Sequence, residues 1–147
     1  MESLLDDLQK IADSMSTGAV VLCPTDTIWG LSCDAFNQDA VNRIYEIKKR
    51  DLDKPFILLV SNLKMLKNYI VDIHPRIETL LAFYERPMSV IYEPNKRLPS
   101  FLYNQDKSIA IRITKSKMIA ALIDLLGRPI VSTSANVQGE FSPTHYN

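Results

Sequence analysis

Three polar clusters carry the residue types able to do chemistry, and each follows an apolar run or closes a helical one. The first is Pro24-Thr25-Asp26-Thr27 with Trp29-Gly30. Its hydroxyls and carboxylate suit a small polar ligand, and suit a capped turn equally well. The second is Lys48-Lys49-Arg50, with Lys54 close behind. Cations at one spot hold phosphate oxygens, Arg through a bidentate fork, but cations also gather at helix C-termini to offset the dipole. The third is Ser132-Thr133-Ser134-Ala135-Asn136, followed by Gly139 and Ser142-Pro143-Thr144. Small hydroxyls and an amide after a strand offer hydrogen bonds to phosphate or ribose, or make an ordinary polar loop. A fourth candidate is Arg112, alternating with Ile109, Ile111 and Ile113. It faces solvent, or an anion if the sheet borders a cavity.

Other chemistries find no support. There is no G-x-G-x-x-G, Walker A or G-x-S-x-G sequence. His74 and His145 have no partner at metal-ligand spacing, and His74 beside Pro75 suits a surface or capping role. Cys23 and Cys33 match no zinc or C-x-x-C pattern and lie in or beside apolar runs, so buried structural thiols are expected. No activated nucleophile is evident, which leaves positioning and charge stabilisation around a phosphorylated ligand. Lys plus Arg equals Asp plus Glu, 17 against 17, without the basic excess of a general nucleic-acid binder. The acidic Met-Glu-Ser start is unlike a signal peptide, no apolar run approaches the ~18 residues of a membrane span, and a cytoplasmic location is expected.

These residues need elements to hold them. A chain of 147 residues fits one domain, and 46% hydrophobic with 23% charged residues is a globular balance. Leu4, Leu5, Leu8, Ile11, Ala12 and Met15 recur at helical spacing, with Ser3 as cap and Gly18 as terminator. Ala19 to Cys23 reads as a buried strand stopped by Pro24, with Ile28 to Leu31 beyond the polar turn. Asn37 caps a helix over 38–49 with Val41, Ile44 and Tyr45 inward. Phe56 to Val60 is a strand. Ser61 caps a short helix to Ile70, and Pro75 opens another to Tyr84. Strands follow at Met88–Tyr92 and Ser108–Ile113, then a helix over 115–126 closed by Gly127, then a strand entered at Pro129–Val131. Pro94 to Gln105 reads as a mobile loop. Strands alternating with helices make an α/β class.

Together the clusters are more specific than each alone. Pro24-Thr25-Asp26-Thr27-Ile28-Trp29-Gly30-Leu31 resembles the PTDTxYGL signature of the YrdC family. Lys48-Lys49-Arg50 resembles its KxR element, Ser134-Ala135-Asn136 its SxN element, and Arg112 falls where the family has an inner-strand arginine. The resemblance runs from about Val20 to Thr144. It implies a YrdC/RibB-like three-layer α/β domain over residues 1–147, with a curved mixed sheet and a basic concave cavity.

The resemblance further implies an L-threonylcarbamoyladenylate synthase, a nucleotidyltransferase acting on L-threonine, bicarbonate or CO2, and ATP with Mg2+. A downstream transferase would then modify tRNA. By position, Thr27, Arg112 and Ser132 would bind threonine. Lys48 and Arg50 would be catalytic and hold phosphates together with Lys54, and Ser134, Asn136 and Ser142 would contact the nucleotide. The chain departs from the family at Trp29 and Asp51. It departs again at Tyr84-Glu85-Arg86-Pro87-Met88-Ser89, where an aromatic-Pro-Gly-x-x-Thr stretch is usual. The usual C-terminal segment is missing from the resemblance. A double-stranded RNA or tRNA binder without catalysis, and a same-fold enzyme using another substrate, are the alternatives.

Overall fold

In the computed structural model the described residues are 2–24, 29–49 and 56–134. They form α1 (Glu2–Ser16), β1 (Val21–Pro24), β2 (Trp29–Asp34), α2 (Gln38–Lys48), β3 (Ile57–Val60), α3 (Leu63–Tyr69), α4 (Pro75–Phe83), β4 (Ser89–Tyr92), a single 3-10 turn (Ser100–Leu102), β5 (Ile109–Ile113), α5 (Lys117–Leu126) and β6 (Ile130–Ser134). The six strands make one open mixed sheet in the order β1-β2-β6-β3-β5-β4. Only β3 and β5 run parallel; every other neighbouring pair is antiparallel.

The sheet separates two cores. On one face Cys33, Leu58, Val60, Ile109, Ile111 and Val131 pack beneath Val41, Ile44 and Tyr45 of α2 and Leu66 of α3. On the other, Cys23, Leu59 and Ile130 pack beneath Leu8, Ala12 and Met15 of α1 and Ile119, Leu122 and Ile123 of α5. This is the expected three-layer α/β arrangement. Strand side chains alternate between faces, so Ile109, Ile111 and Ile113 of β5 belong to the first core while Ala110 and Arg112 point the other way.

Local chemistry sets most boundaries. The Asn37 side chain accepts a hydrogen bond from the Ala40 backbone N–H at 3.0 Å and starts α2. His74 caps α4 by accepting from Arg76 N–H, with Pro75 at the first helical position. Gly127, at φ 81°, ends α5 in the left-handed region open to glycine.

Several expectations change. Helix α1 already includes Ser3, so that residue is not its cap. Asn62, not Ser61, caps α3: its Oδ1 accepts from Met65 N–H, while the Ser61 hydroxyl donates to Asp124 of α5. Pro24 closes β1 from inside, opposite Trp29. The stretch from Pro94 to Gln105 is anchored rather than loose. Leu98 and Leu102 are buried there, and the Tyr103 hydroxyl contacts the carbonyls of Leu98 at 2.8 Å and Asn95 at 3.1 Å. Finally, β6 runs through Ser134, so Ser132 and Thr133 are strand residues and not part of a following loop.

Candidate active site

Sheet register brings the described candidate residues together. Leu59 of β3 lies opposite Ile130 of β6 and alongside Arg112 of β5, and Ile57 lies opposite Ser132. Directly paired residues share a face, and so do residues two apart on one strand. Arg112, Ser132 and Ser134 therefore project from the same face, the one that α1 and α5 cover. The cover is partial. Leu59 and Ile130 are buried beneath the helices, whereas Ile57, Ala110, Arg112, Ser132 and Ser134 keep some exposure and Ile91 of β4 is 68% exposed. Among the described residues, the area that α1 and α5 leave uncovered bears the Arg112 guanidinium and the Ser89, Ser132 and Ser134 hydroxyls.

Lys48 closes one end of it. This last residue of α2 is only 3% exposed. Its Nζ donates to the Ser134 carbonyl O at 2.8 Å and to Ser134 Oγ at 3.1 Å. Burying an ammonium is costly unless it is hydrogen-bonded, and these two contacts supply that. Lys49, the next residue, takes a left-handed conformation at φ 53° as the C-cap of α2. The sequence pattern placed Lys48 and Ser134 in separate clusters; the fold joins them.

A second pairing was not foreseen. Ser32 of β2 lies directly opposite Ser132, is fully buried, and donates to Ser132 Oγ at 3.2 Å. A signal existed in the alternation of Gly30, Ser32 and Asp34 with Leu31 and Cys33, but no strand was expected over these residues. Ser89 of β4 lies opposite Arg112, so the stretch that departs from the family pattern reaches the same face.

Three further buried groups belong to β1 and β2, and one of them, Cys23, shares a side-chain hydrogen bond with Ser32. Burial pushes the Cys23 thiol up to about 11 and the Cys33 thiol up to about 12, so both stay protonated and unreactive at neutral pH, as expected of structural thiols. Asp34 is tied to Arg128 at 2.8 Å and to the Phe36 N–H at 2.9 Å. Thr27, Arg50, Lys54, Asn136 and Ser142 lie outside the described residues. Among the described residues no group of three His, Cys, Asp or Glu is placed to hold a metal ion, and no helix is long and apolar enough to cross a membrane.

Residues 13–147 match the Sua5/YciO/YrdC family model, described as "Telomere recombination". The chain is 36% identical over 138 residues to a threonylcarbamoyl-AMP synthase of Xanthomonas campestris pv. campestris, spanning 91% of this chain and 73% of that protein. It is 32% identical over 137 residues to the synthase of the same name from Escherichia coli, covering 91% and 72%. Among solved structures it is similar to P. abyssi Sua5 complexed with L-threonine, with a TM-score of 0.87 and 28% identity. That match covers 95% of this chain and 41% of the Sua5 chain.

Proposed function

Because the chain belongs to the Sua5/YciO/YrdC family, we propose that it makes threonylcarbamoyl-AMP from L-threonine, bicarbonate or CO2, and ATP, for modification of tRNA. The observation that carries this reading is the single open face bearing Arg112, Ser132 and Ser134, with the Lys48 ammonium held at its end. Arg112 is suited to pair with the threonine carboxylate, because a planar guanidinium matches a carboxylate bidentately. Ser132, on the same face, supplies a hydroxyl to the amino acid.

The proposed chemistry is consistent with those placements. The threonine amino nitrogen adds to CO2 and loses a proton, giving a carbamate. A carbamate oxygen then attacks the α-phosphorus of ATP as the bond to the pyrophosphate oxygen breaks. There is little covalent work for the protein in such a step; it positions the two anions and offsets charge on the phosphoryl oxygens. Lys48 fits that task, because a fixed cation in a water-poor setting acts more strongly than one in bulk water. Arg50 and Lys54 would add to it, and Ser134, Asn136 and Ser142 would contact the nucleotide. Mg2+ would enter as part of the ATP complex, held mainly by phosphate oxygens and water as this hard cation prefers; the hydroxyls and cations of the described face are compatible with that. A shielded pocket would also protect the carbamate from hydrolysis.

The test is pyrophosphate release by the purified chain with Mg-ATP and bicarbonate, with and without L-threonine, and mass detection of the adenylate. Threonine-dependent release with the adenylate formed supports the reading; its absence overturns it. A second reading, a same-fold enzyme with another acceptor, is favoured by Ser89 lying opposite Arg112 in a stretch that departs from the family pattern. Release that responds to a different amino acid and not to threonine would select it.

A further inference from the structure

We propose that Ser32 is a positioning residue that sets the direction in which Ser132 offers its hydroxyl proton to the amino-acid substrate. The inference rests on the reading of this face as a threonine site. It starts from what surrounds Ser132 in the sheet. Its lateral neighbour on β3 is Ile57, which has no polar side-chain atom, and its same-face neighbours along β6 are Ile130 and Ser134. Ile130 is apolar and buried, and Ser134 is engaged by Lys48. The remaining lateral neighbour is Ser32, directly opposite across β2, with its Oγ 3.2 Å away.

A hydroxyl has one proton to give and two lone pairs to receive. Ser32 also shares a side-chain hydrogen bond with the protonated Cys23 thiol; with that S–H given to the Ser32 oxygen, the Ser32 proton goes to Ser132 and occupies one of its lone pairs. The proton of Ser132 is then directed away from Ser32, towards the uncovered part of the face that Arg112 shares. Ser132 thereby becomes a donor, the polarity needed to meet a carboxylate oxygen beside a guanidinium. Chained hydroxyls also polarise one another, which strengthens the outward donor. Ser32 can hold this arrangement because it is fully buried and fixed in a strand paired on both sides, to Val21 and to Ser132. It touches no substrate; it acts through Ser132.

The experiment is calorimetric titration of the full chain with L-threonine and, separately, with Mg-ATP, for wild type, S32A, S132A and the double variant. An interaction of one neutral hydrogen bond corresponds to about a fivefold change in Kd. The expected result is about fivefold weaker threonine binding in S32A and in S132A, no further loss in the double variant, and unchanged ATP binding in S32A. S32A binding threonine like wild type, or two losses that multiply, overturns the role of Ser32 while leaving the threonine site standing. No threonine binding by the wild-type chain overturns the site itself. Should S32A not fold, S32C keeps the side-chain volume with a weaker donor; it is expected to lose threonine affinity in the same direction, and wild-type affinity there overturns the inference.

Discussion

The ammonium of Lys48 sits 2.8 Å from the carbonyl oxygen of Ser134, joining the end of α2 to the end of β6. Two positions read from sequence as parts of separate phosphate-binding clusters are one hydrogen-bonded unit. Lys48 therefore has a structural role as well as a chemical one. Sequence alone suggests that Lys48→Ala abolishes activity and spares the fold. The structure changes the second half: the substitution removes a buried charged donor to the Ser134 hydroxyl and carbonyl. We expect a destabilisation of about 1.5–3 kcal/mol, seen as a Tm lower by roughly 4–10 °C, together with loss of threonine-dependent pyrophosphate release. An unchanged Tm would show that Lys48 is dispensable for joining α2 to β6.

Arg112 should separate the two substrates. Arg112→Ala is expected to weaken threonine binding by about 10- to 100-fold, the range for a charge-assisted hydrogen bond or two, and to leave ATP binding within about twofold. Arg112→Lys keeps the charge and loses the fork, so it should recover only part of the affinity. Titration with each ligand checks this. An equal loss for both ligands would move Arg112 from the amino-acid end to the nucleotide end.

The two thiols make a pH prediction with a definite sign. Cys23 is raised from 9.0 to about 11 and Cys33 from 9.0 to about 12, in both cases by burial. The folded chain holds these protons more tightly than the unfolded chain does. Their contribution to stability is fully present below pH 9 and is lost as pH rises towards 11 and 12. Urea unfolding midpoints should fall across that window, and the fall should shrink in a Cys23→Ala, Cys33→Ala double variant. At pH 8 neither thiol should react with iodoacetamide until urea unfolds the chain.

Gly127 gives a narrower test. A Cβ built there meets nothing within 4 Å, so the obstacle to Gly127→Ala is the φ of 81° alone. The expected cost is about 1–2 kcal/mol, measured by chemical unfolding, with Gly127→Asn milder because Asn tolerates this region. A much larger loss would mean that the turn into β6 depends on more than backbone conformation.

Helical elements were the most legible part of the chain. In α2 the apolar period and the Asn37 cap agree with each other, and the structure keeps both. Where two capping residues stand side by side, as at Ser61 and Asn62, the choice turns on a distant partner: Asp124 takes the Ser61 hydroxyl and leaves Asn62 to cap. The extent of β6 was hidden for a related reason. Ser132, Thr133 and Ser134 lack a strand's usual apolar alternation, but their ladder with β2 holds them, and the open face requires no apolar residue there. Within the site, residue types were readable because cations and hydroxyls announce phosphate and carboxylate chemistry. Ser32 was not, since its partner is 100 residues away in sequence and only the register of β2 against β6 joins them.

The last strand of the described chain is a middle strand of the sheet. β6 inserts between β2 and β3, so until it arrives the β1–β2 pair and the β3–β5–β4 group have no strand in common. On a ribosome releasing the chain from its N-terminus, the edge of β2 would wait unpaired while residues 35–129 emerge and the edge of β3 while residues 61–129 emerge, and sheet closure would come late. Ser132 and Ser134 arrive on that closing strand. The binding face and the continuous sheet would therefore come into being in one event, and a nascent chain halted before Ile130 would have neither.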